Sequence, residues 1–88
     1  MKVLAICRPR PGTDTSEMIK HIAKEAKTLE DWRDTGILLE AYSPGGPGAI
    51  LILEVSDLGK AQSLLARLPL CEAGLIETEL IGLRPLQY

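Results

Sequence analysis

The chain has 88 residues, of which 45% are hydrophobic and 25% charged, and its formal net charge at pH 7 is −2. A chain of this length forms one domain, residues 1–88, because two separate cores would each bury too little apolar surface to offset the chain entropy. Since acidic and basic residues are interspersed and no block of Lys or Arg occurs, the composition excludes typical nucleic-acid binders and proteins that bind anionic membranes.

Neither a membrane anchor nor a metal-binding motif is predicted. Met1 leads directly into an apolar run without a basic leader, and no run approaches the roughly 20 apolar residues of a membrane span, so a cytoplasmic location is expected. The cysteines, Cys7 and Cys71, lie far apart in the sequence and lack the short spacings of metal and redox motifs. We therefore expect two reduced thiols and no metal site.

The first third of the chain predicts a strand followed by a long helix. Lys2–Arg8 is a nearly continuous apolar run that Pro9 terminates, which is typical of a buried strand. Asp14 and Glu17 have the spacing of a capping box, and apolar residues then recur at helical intervals until Gly36. One helix is expected across this whole segment.

The middle of the chain predicts a hairpin and a second helix. Ile37–Tyr42 and Ala49–Val55 flank the sequence SPGGPG, so we expect two antiparallel strands joined by a turn rich in glycine and proline. Ser56 or Asp57 can cap the second helix, whose apolar residues repeat at intervals of three and four until Pro69 ends it.

A last apolar segment, from about Leu75 to Leu83, predicts the fourth strand. The resulting βαββαβ order is that of the ferredoxin-like α+β fold, a four-stranded antiparallel sheet with two helices on one face and strands one and three in the centre. Both central strands are apolar on both sides, and no further segment is left to cover the second face of the sheet. We therefore expect two copies to pair sheet to sheet as a homodimer, or to form a larger assembly.

One sequence motif resembles a known family. Arg67–Leu80, with the sequence RLPLCEAGLIETEL, is similar to the LPL turn and alternating strand of muconolactone isomerases. The first helix is similar as well, because Glu25 and the segment Trp32–Gly36 (WRDTG) fit that family's glutamate-bearing helix, which ends in a basic or polar residue before a glycine. The resemblance covers most of the chain and implies a dimeric α+β barrel, commonly assembled into larger rings. It also implies a proton shift that moves a carbon–carbon double bond in a small lactone.

The candidate catalytic residues lie on one stripe of the first helix. At about 100° per residue, His21, Glu25, Thr28 and Trp32 follow one another along the border of its apolar face. In a barrel of this type the cavity lies between helix and sheet, so such a stripe brings polar groups into an apolar pocket. Partial desolvation would raise the pKa of Glu25 toward neutrality, which suits a base that removes a proton next to a carbonyl group. His21 would orient Glu25 or return the proton.

Four residues, two of them on this stripe, are predicted to bind the substrate. Trp32, Tyr42 and Thr28 would line the pocket, and Arg8, at the end of the first strand, would bind a substrate carboxylate through two hydrogen bonds. Each residue also has an ordinary structural explanation. A His and a Glu four residues apart are common on helix surfaces, Trp32 suits a core or an interface, and Arg8 can pair with a surface acid.

The leading functional hypothesis is a cofactor-free isomerase that moves a double bond in a small unsaturated lactone or enone by acid–base proton transfer. A barrel without catalytic activity, which is purely structural or binds a small molecule, is the first alternative. A cofactor-free monooxygenase or cyclase of a biosynthetic pathway is the second, because similar barrels perform such reactions. The sequence leaves open whether the protein is an enzyme.

Overall fold

A single antiparallel sheet organises the protein, and the computed structural model describes all 88 residues. The elements along the chain are β1 (Lys2–Pro9), α1 (Thr15–Ile19), α2 (Ile22–Asp34), β2 (Leu38–Tyr42), β3 (Ala49–Glu54), α3 (Leu58–Ala66), α4 (Pro69–Glu72) and β4 (Ile76–Leu83). The strand order is β2-β3-β1-β4, with β1 and β3 in the centre. The predicted ferredoxin-like α+β fold is confirmed. None of the helices combines the length and the hydropathy that crossing a membrane requires.

The predicted first helix begins and ends as expected but is divided in two. At its start the Asp14 side chain accepts a hydrogen bond of 2.9 Å from the Ser16 N–H, which satisfies one of the free N–H groups of α1. At its end Gly36 follows the last turn of α2 with a φ of +82°, the left-handed conformation that glycine adopts without steric cost.

The division falls at Lys20 and His21, and the prediction of one continuous helix is therefore wrong. Lys20 closes α1 with a tight turn, in which its N–H donates to the Met18 carbonyl, and His21 precedes α2 without a side-chain cap. Met18 is buried in the core, whereas Ile19 and Ile22 are 66% and 53% exposed on either side of the break. No core contact at this point favours a straight helix.

The second half of the chain contains one helix that the sequence did not predict. Asp57 caps α3 as expected, accepting a hydrogen bond of 2.7 Å from the Lys60 N–H. After Leu68 the chain forms the short helix α4, with Pro69 at its first position, where a missing N–H costs nothing. The helix α3 thus ends at Ala66, before Pro69 is reached, and Pro69 begins α4.

The two faces of the sheet differ in what covers them. Val3, Ala5, Leu51 and Leu53 point toward the helices and are at most 1% exposed. The alternate residues of the central strands point to the other side, which carries no helix. We call this side the open face, and its aliphatic centre consists of Leu4, Ile6, Ile50, Ile52 and Ile81.

The helices cover their face of the sheet unevenly. The nine residues of α3 include three buried side chains, Ala61, Leu64 and Leu65, whereas the 13 residues of α2 include only one, Trp32. Since α1 contributes only Met18, the sheet beneath α1 and α2 is incompletely covered. A cavity remains there.

Candidate functional site

The cavity beneath α1 and α2 has a volume of about 430 Å³, and 10 of its 15 lining residues are hydrophobic. Its wall combines side chains from both helices, the floor of the sheet, the loop between β2 and β3, and α4. The lining residues are Cys7, Thr15, Met18, Ile19, Ile22, Glu25, Ala26, Leu29, Gly46, Pro47, Gly48, Ala49, Leu51, Leu70 and Ile76. This volume lies in the range of small-molecule sites, and the composition is the predominantly apolar one that such sites share.

Glu25 is the one charged side chain in the wall of this cavity. Its Oε1 atom accepts a hydrogen bond of 3.1 Å from the Leu70 N–H. Burial raises the pKa of Glu25, although the Leu70 hydrogen bond and the neighbouring His21 each act to lower it. The carboxylate is therefore a stronger base than one in water, and it is held in a defined orientation.

The partner of Glu25 comes from α4, the helix that the sequence did not predict. Leu70 is the second residue of α4, and its N–H has no acceptor within the helix because it lies in the first turn. A carboxylate at this position satisfies that N–H and interacts favourably with the helix dipole. The signal in the sequence was Pro69, since proline is common at the first position of a helix.

The other three residues of the predicted stripe do not line the cavity. His21 is half-buried next to the first turn of α2 and lowers the pKa of Glu25, but the two side chains form no hydrogen bond or ion pair. The Thr28 hydroxyl donates to the Lys24 carbonyl at 3.0 Å. Trp32 is 8% exposed and belongs to the hydrophobic core. Of the stripe, only Glu25 reaches the cavity.

Arg8 and Tyr42 lie on the open face, on the opposite side of the sheet from the cavity. Arg8 Nη1 is 3.1 Å from Glu79 Oε1, and the Tyr42 hydroxyl donates to Glu40 Oε1 at 2.9 Å. Tyr42 is 56% exposed. Within one chain, the structure does not bring either residue together with Glu25.

The apolar edge of α2 faces the cavity instead of filling the core. Ile22 and Ala26 are exposed and Leu29 is half-buried, and all three line the cavity. The sequence predicted this edge as the packed face and the Glu25 edge as its border. With Glu25 turned inward against α4, the edge that carries Ile22 and Ala26 is turned toward the cavity and its mouth.

The loop at residues 43–48 forms one side of the cavity and depends on Gly48. Gly48 has a φ of +112°, and a Cβ atom at this position would collide with the Cys7 carbonyl oxygen. Only glycine permits this close approach, which keeps Gly46 and Pro47 against the cavity. The sequence predicted the turn but not its role in the site.

Neither cysteine has the properties of a nucleophile. Burial raises the pKa of Cys7, in the cavity floor, to about 12 and the pKa of the half-buried Cys71 to about 11, and the charge of Glu25 acts in the same direction on both thiols. Both side chains are therefore neutral thiols at physiological pH.

Comparisons with known proteins were informative only for structures. No family model matches the chain, and no curated protein matches it in sequence. The dehydrochlorinase for 5-chloro-2-hydroxyhydroquinone from Burkholderia phenoliruptrix AC1100, solved in complex with 2,5-dihydroxybenzoquinone, superposes with a TM-score of 0.78 at 21% identity, over 96% of this chain and 94% of its own. Muconolactone isomerase superposes with a TM-score of 0.76 at 17% identity, over 98% of this chain and 91% of its own.

This chain has the muconolactone isomerase fold. The resemblance predicted from the motif at Arg67–Leu80 is confirmed at the level of the fold. The two matched structures are by name an isomerase and a dehydrochlorinase, so the same muconolactone isomerase fold occurs in enzymes of different reaction types. The fold alone therefore assigns no activity to this chain.

Proposed function

We propose that this protein is a cofactor-free enzyme that moves a double bond in a small unsaturated lactone or enone, with Glu25 as the general base. The observation that carries the proposal is the place of Glu25, the single charged side chain in an otherwise apolar cavity of about 430 Å³. A proton next to a carbonyl group is acidic enough for a carboxylate whose pKa is raised by burial. Return of that proton to a different carbon completes the shift.

The geometry around Glu25 suits this task. Leu70 holds one carboxylate oxygen, Oε1, and the protein donates no hydrogen bond to the other, which keeps its lone pairs for a substrate proton. The mainly aliphatic wall lowers the local polarity around Glu25, which strengthens its electrostatic interactions relative to bulk water. His21, close enough to lower the pKa of Glu25, is proposed to tune its basicity.

A second candidate function is a pocket that binds a small molecule without chemistry. The hydrogen bond between Glu25 and the Leu70 N–H favours it, since this bond gives the carboxylate a structural task as a link between α2 and α4. The two candidates make different predictions for a substitution that keeps the link but removes the base.

Glu25→Gln is that substitution. The Gln side chain retains an oxygen that accepts the Leu70 N–H, but it cannot take a proton. With unsaturated lactones and cyclic enones as probes in heavy water, we expect the wild-type protein to incorporate deuterium or move the double bond, as measured by proton NMR. Glu25→Gln should lower this rate about 100-fold or more, the usual contribution of a general base.

Glu30→Gln is the matched control, because Glu30 lies on the exposed side of the same helix and outside the cavity. It should leave the rate unchanged. Full turnover by a correctly folded Glu25→Gln protein would remove Glu25 as the base. If no probe reacts but the wild-type protein binds them, the second candidate is favoured.

We also propose that two copies pair through the open face, as the sequence suggested. Leu4, Ile6, Ile50 and Ile52 form a continuous aliphatic centre that no element of the chain covers. The surrounding side chains carry both signs of charge, including the Arg8–Glu79 pair, so a second copy meets complementary groups. Arg8 and Tyr42 then belong to the pairing surface.

Analytical ultracentrifugation at micromolar concentration tests the pairing. The wild-type protein should sediment as a dimer or a larger assembly, and Ile52→Lys should sediment as a monomer because it places a charge in the aliphatic centre. Ala23→Lys, on the exposed surface of α2, is the control and should not change the assembly. A folded wild-type monomer at this concentration would contradict the proposal.

A further inference from the structure

The charge of the cavity wall restricts what the cavity can bind. Glu25 is its only ionisable carboxylate, and the Cys7 thiol is neutral because burial raises its pKa to about 12. The remaining polar side chain is Thr15, at the start of α1. The wall therefore offers one negative or protonated carboxyl group, one hydroxyl and one thiol, on an aliphatic background.

The basic side chains near the site do not line the cavity. His21, at the N-cap of α2, acts on the charge of Glu25 but is absent from the cavity wall. Arg8 lies across the sheet, where it pairs with Glu79 at 3.1 Å. Arg10 lines a separate, more polar cleft together with Gln62 and Cys71, and it is absent from the cavity wall. An anionic group that entered the cavity would lose its hydration, find no basic side chain in the wall and approach Glu25, and each of these factors is unfavourable.

We infer that the cavity selects an uncharged cyclic carbonyl compound, and that a carboxylate or phosphate on the ligand weakens binding. This inference deepens the proposed function, on which it rests for the role of Glu25. It replaces the expectation from the sequence that Arg8 binds a substrate carboxylate. A ring with a short apolar substituent fits a cavity of about 430 Å³, with its acidic carbon–hydrogen bond directed at Glu25.

A cationic ligand is the main competing possibility, because an ammonium group can pair with an ionised Glu25. Such a pair would form in an apolar surrounding, where the cost of removing both charges from water roughly cancels their attraction. One carboxylate oxygen is already engaged by the Leu70 N–H. The aliphatic wall thus favours the uncharged ligand.

A matched ligand series tests the inference. Three unsaturated lactones with the same ring would carry an ethyl, an acetate or an aminomethyl group at the same carbon, and their affinities would be measured by isothermal titration calorimetry at neutral pH. We expect the ethyl compound to bind at least about tenfold more tightly than the other two, a difference of about 1.4 kcal/mol. Equal or tighter binding of the acetate or the aminomethyl compound would overturn the inference.

A gain-of-function variant sharpens the test. Ile22→Arg places a cation in the wall of the cavity at a side chain that is 53% exposed, so the substitution is compatible with folding. It should improve binding of the acetate compound about tenfold or more while weakening that of the aminomethyl compound. Ala23→Arg, next in sequence but outside the cavity, should change neither affinity. An unchanged acetate affinity in Ile22→Arg would contradict the assigned position of the ligand.

The outcomes separate this inference from the proposed function. If the uncharged compound binds best but Glu25→Gln exchanges its protons as fast as the wild-type protein, the selectivity stands and the catalytic role fails. If Glu25→Gln is inactive but the acetate compound is the better ligand, the catalytic role stands and the inference fails.

Discussion

The two halves of the helix layer pack differently on the same sheet: one seals the core and the other leaves a cavity. Ala61, Leu64 and Leu65 of α3 are at most 8% exposed and form a sealed core with the strands beneath them. On the other half, Ile22 and Ala26 of α2 are exposed along a cavity. Both helices are amphipathic in sequence, so the apolar pattern alone does not decide which helix seals the core and which one leaves a site.

The two helices also differ in the contacts that the side chains at the border of their apolar faces make. Glu25 of α2 turns inward to the Leu70 N–H of α4, and this hydrogen bond joins the two helices at the cavity wall. The sealed half has no buried charged group, and its helix packs directly on the sheet. A single half-buried carboxylate thus accompanies the change from core to cavity.

The largest effect is expected from adding volume to the sealed half. Ala61 is 0% exposed, so Ala61→Phe should destabilise the fold by about 3 kcal/mol or more, or prevent folding, because there is no space for the ring. Ala26→Phe, in the cavity wall, should change the free energy of unfolding by less than about 1 kcal/mol, because the ring enters free volume.

Urea unfolding measures both changes, and ligand titration adds a second readout. Ala26→Phe should weaken binding of the unsaturated lactones because its ring occupies part of the cavity. Equal destabilisation by the two substitutions would show that the halves do not differ in packing. Unchanged ligand binding by Ala26→Phe would show that the cavity is not the site.

A smaller effect is expected in the loop that borders the cavity. Gly48→Ala should cost about 1–3 kcal/mol, since its φ of +112° strains any side chain and its Cβ would meet the Cys7 carbonyl. Gly45 has a φ of +93° but open space around it, so Gly45→Ala should cost about 1–2 kcal/mol at most. Thermal unfolding and ligand affinity would be compared, and only Gly48→Ala should also weaken binding. The same loss of affinity in both variants would contradict this role of Gly48.

The smallest effect is a pH dependence of stability. The pKa of Glu25 in the folded protein lies above its ordinary value of 4.5, so the folded state holds this proton more tightly than the unfolded state. The stabilisation from the protonated group is full below that ordinary value and is lost as the pH rises through the raised pKa. Glu25→Gln does not titrate, so its melting temperature relative to the wild type should be higher at about pH 7.5 than at about pH 4.

Differential scanning fluorimetry across this pH range provides the measurement, with Glu30→Gln as the control that should run parallel to the wild type. A melting-temperature difference for Glu25→Gln that is constant with pH, or that shrinks as the pH rises, would contradict the burial of the carboxylate.

Most of the fold could be predicted because it follows from local patterns. The alternation in β1 and β3, the caps Asp14 and Asp57, and the turn at residues 43–48 each fix one element without reference to the rest of the chain. The break before α2 could not be predicted in this way, because it depends on what the segment packs against. The helix α4 was missed although Pro69 is a local signal for the start of a helix.

The site was predicted in part for the same reason. Glu25 was found because it lies at the border of an apolar face, a local property of the helix. Arg8 and Tyr42 were assigned to the pocket on the basis of residue type, but which face of the sheet they occupy follows from the register of β1 and β2 with their partners. The Leu70 N–H carries no side-chain signal, and only the fold brings it to Glu25.

The most direct test of the account is the location of a bound lactone within the protein. Amide proton–nitrogen NMR spectra recorded during titration with the uncharged unsaturated lactone should show the largest shifts at Leu70, whose N–H binds Glu25, and at Ala26 and Gly48 in the cavity wall. Side-chain methyl spectra from the same titration should show a shift at Ile22, in the cavity wall, and none at Ile6 and Ile52, whose methyl groups lie on the open face. Shifts concentrated on the open face, with Leu70 unchanged, would contradict the assignment of the cavity beneath α1 and α2 as the functional site.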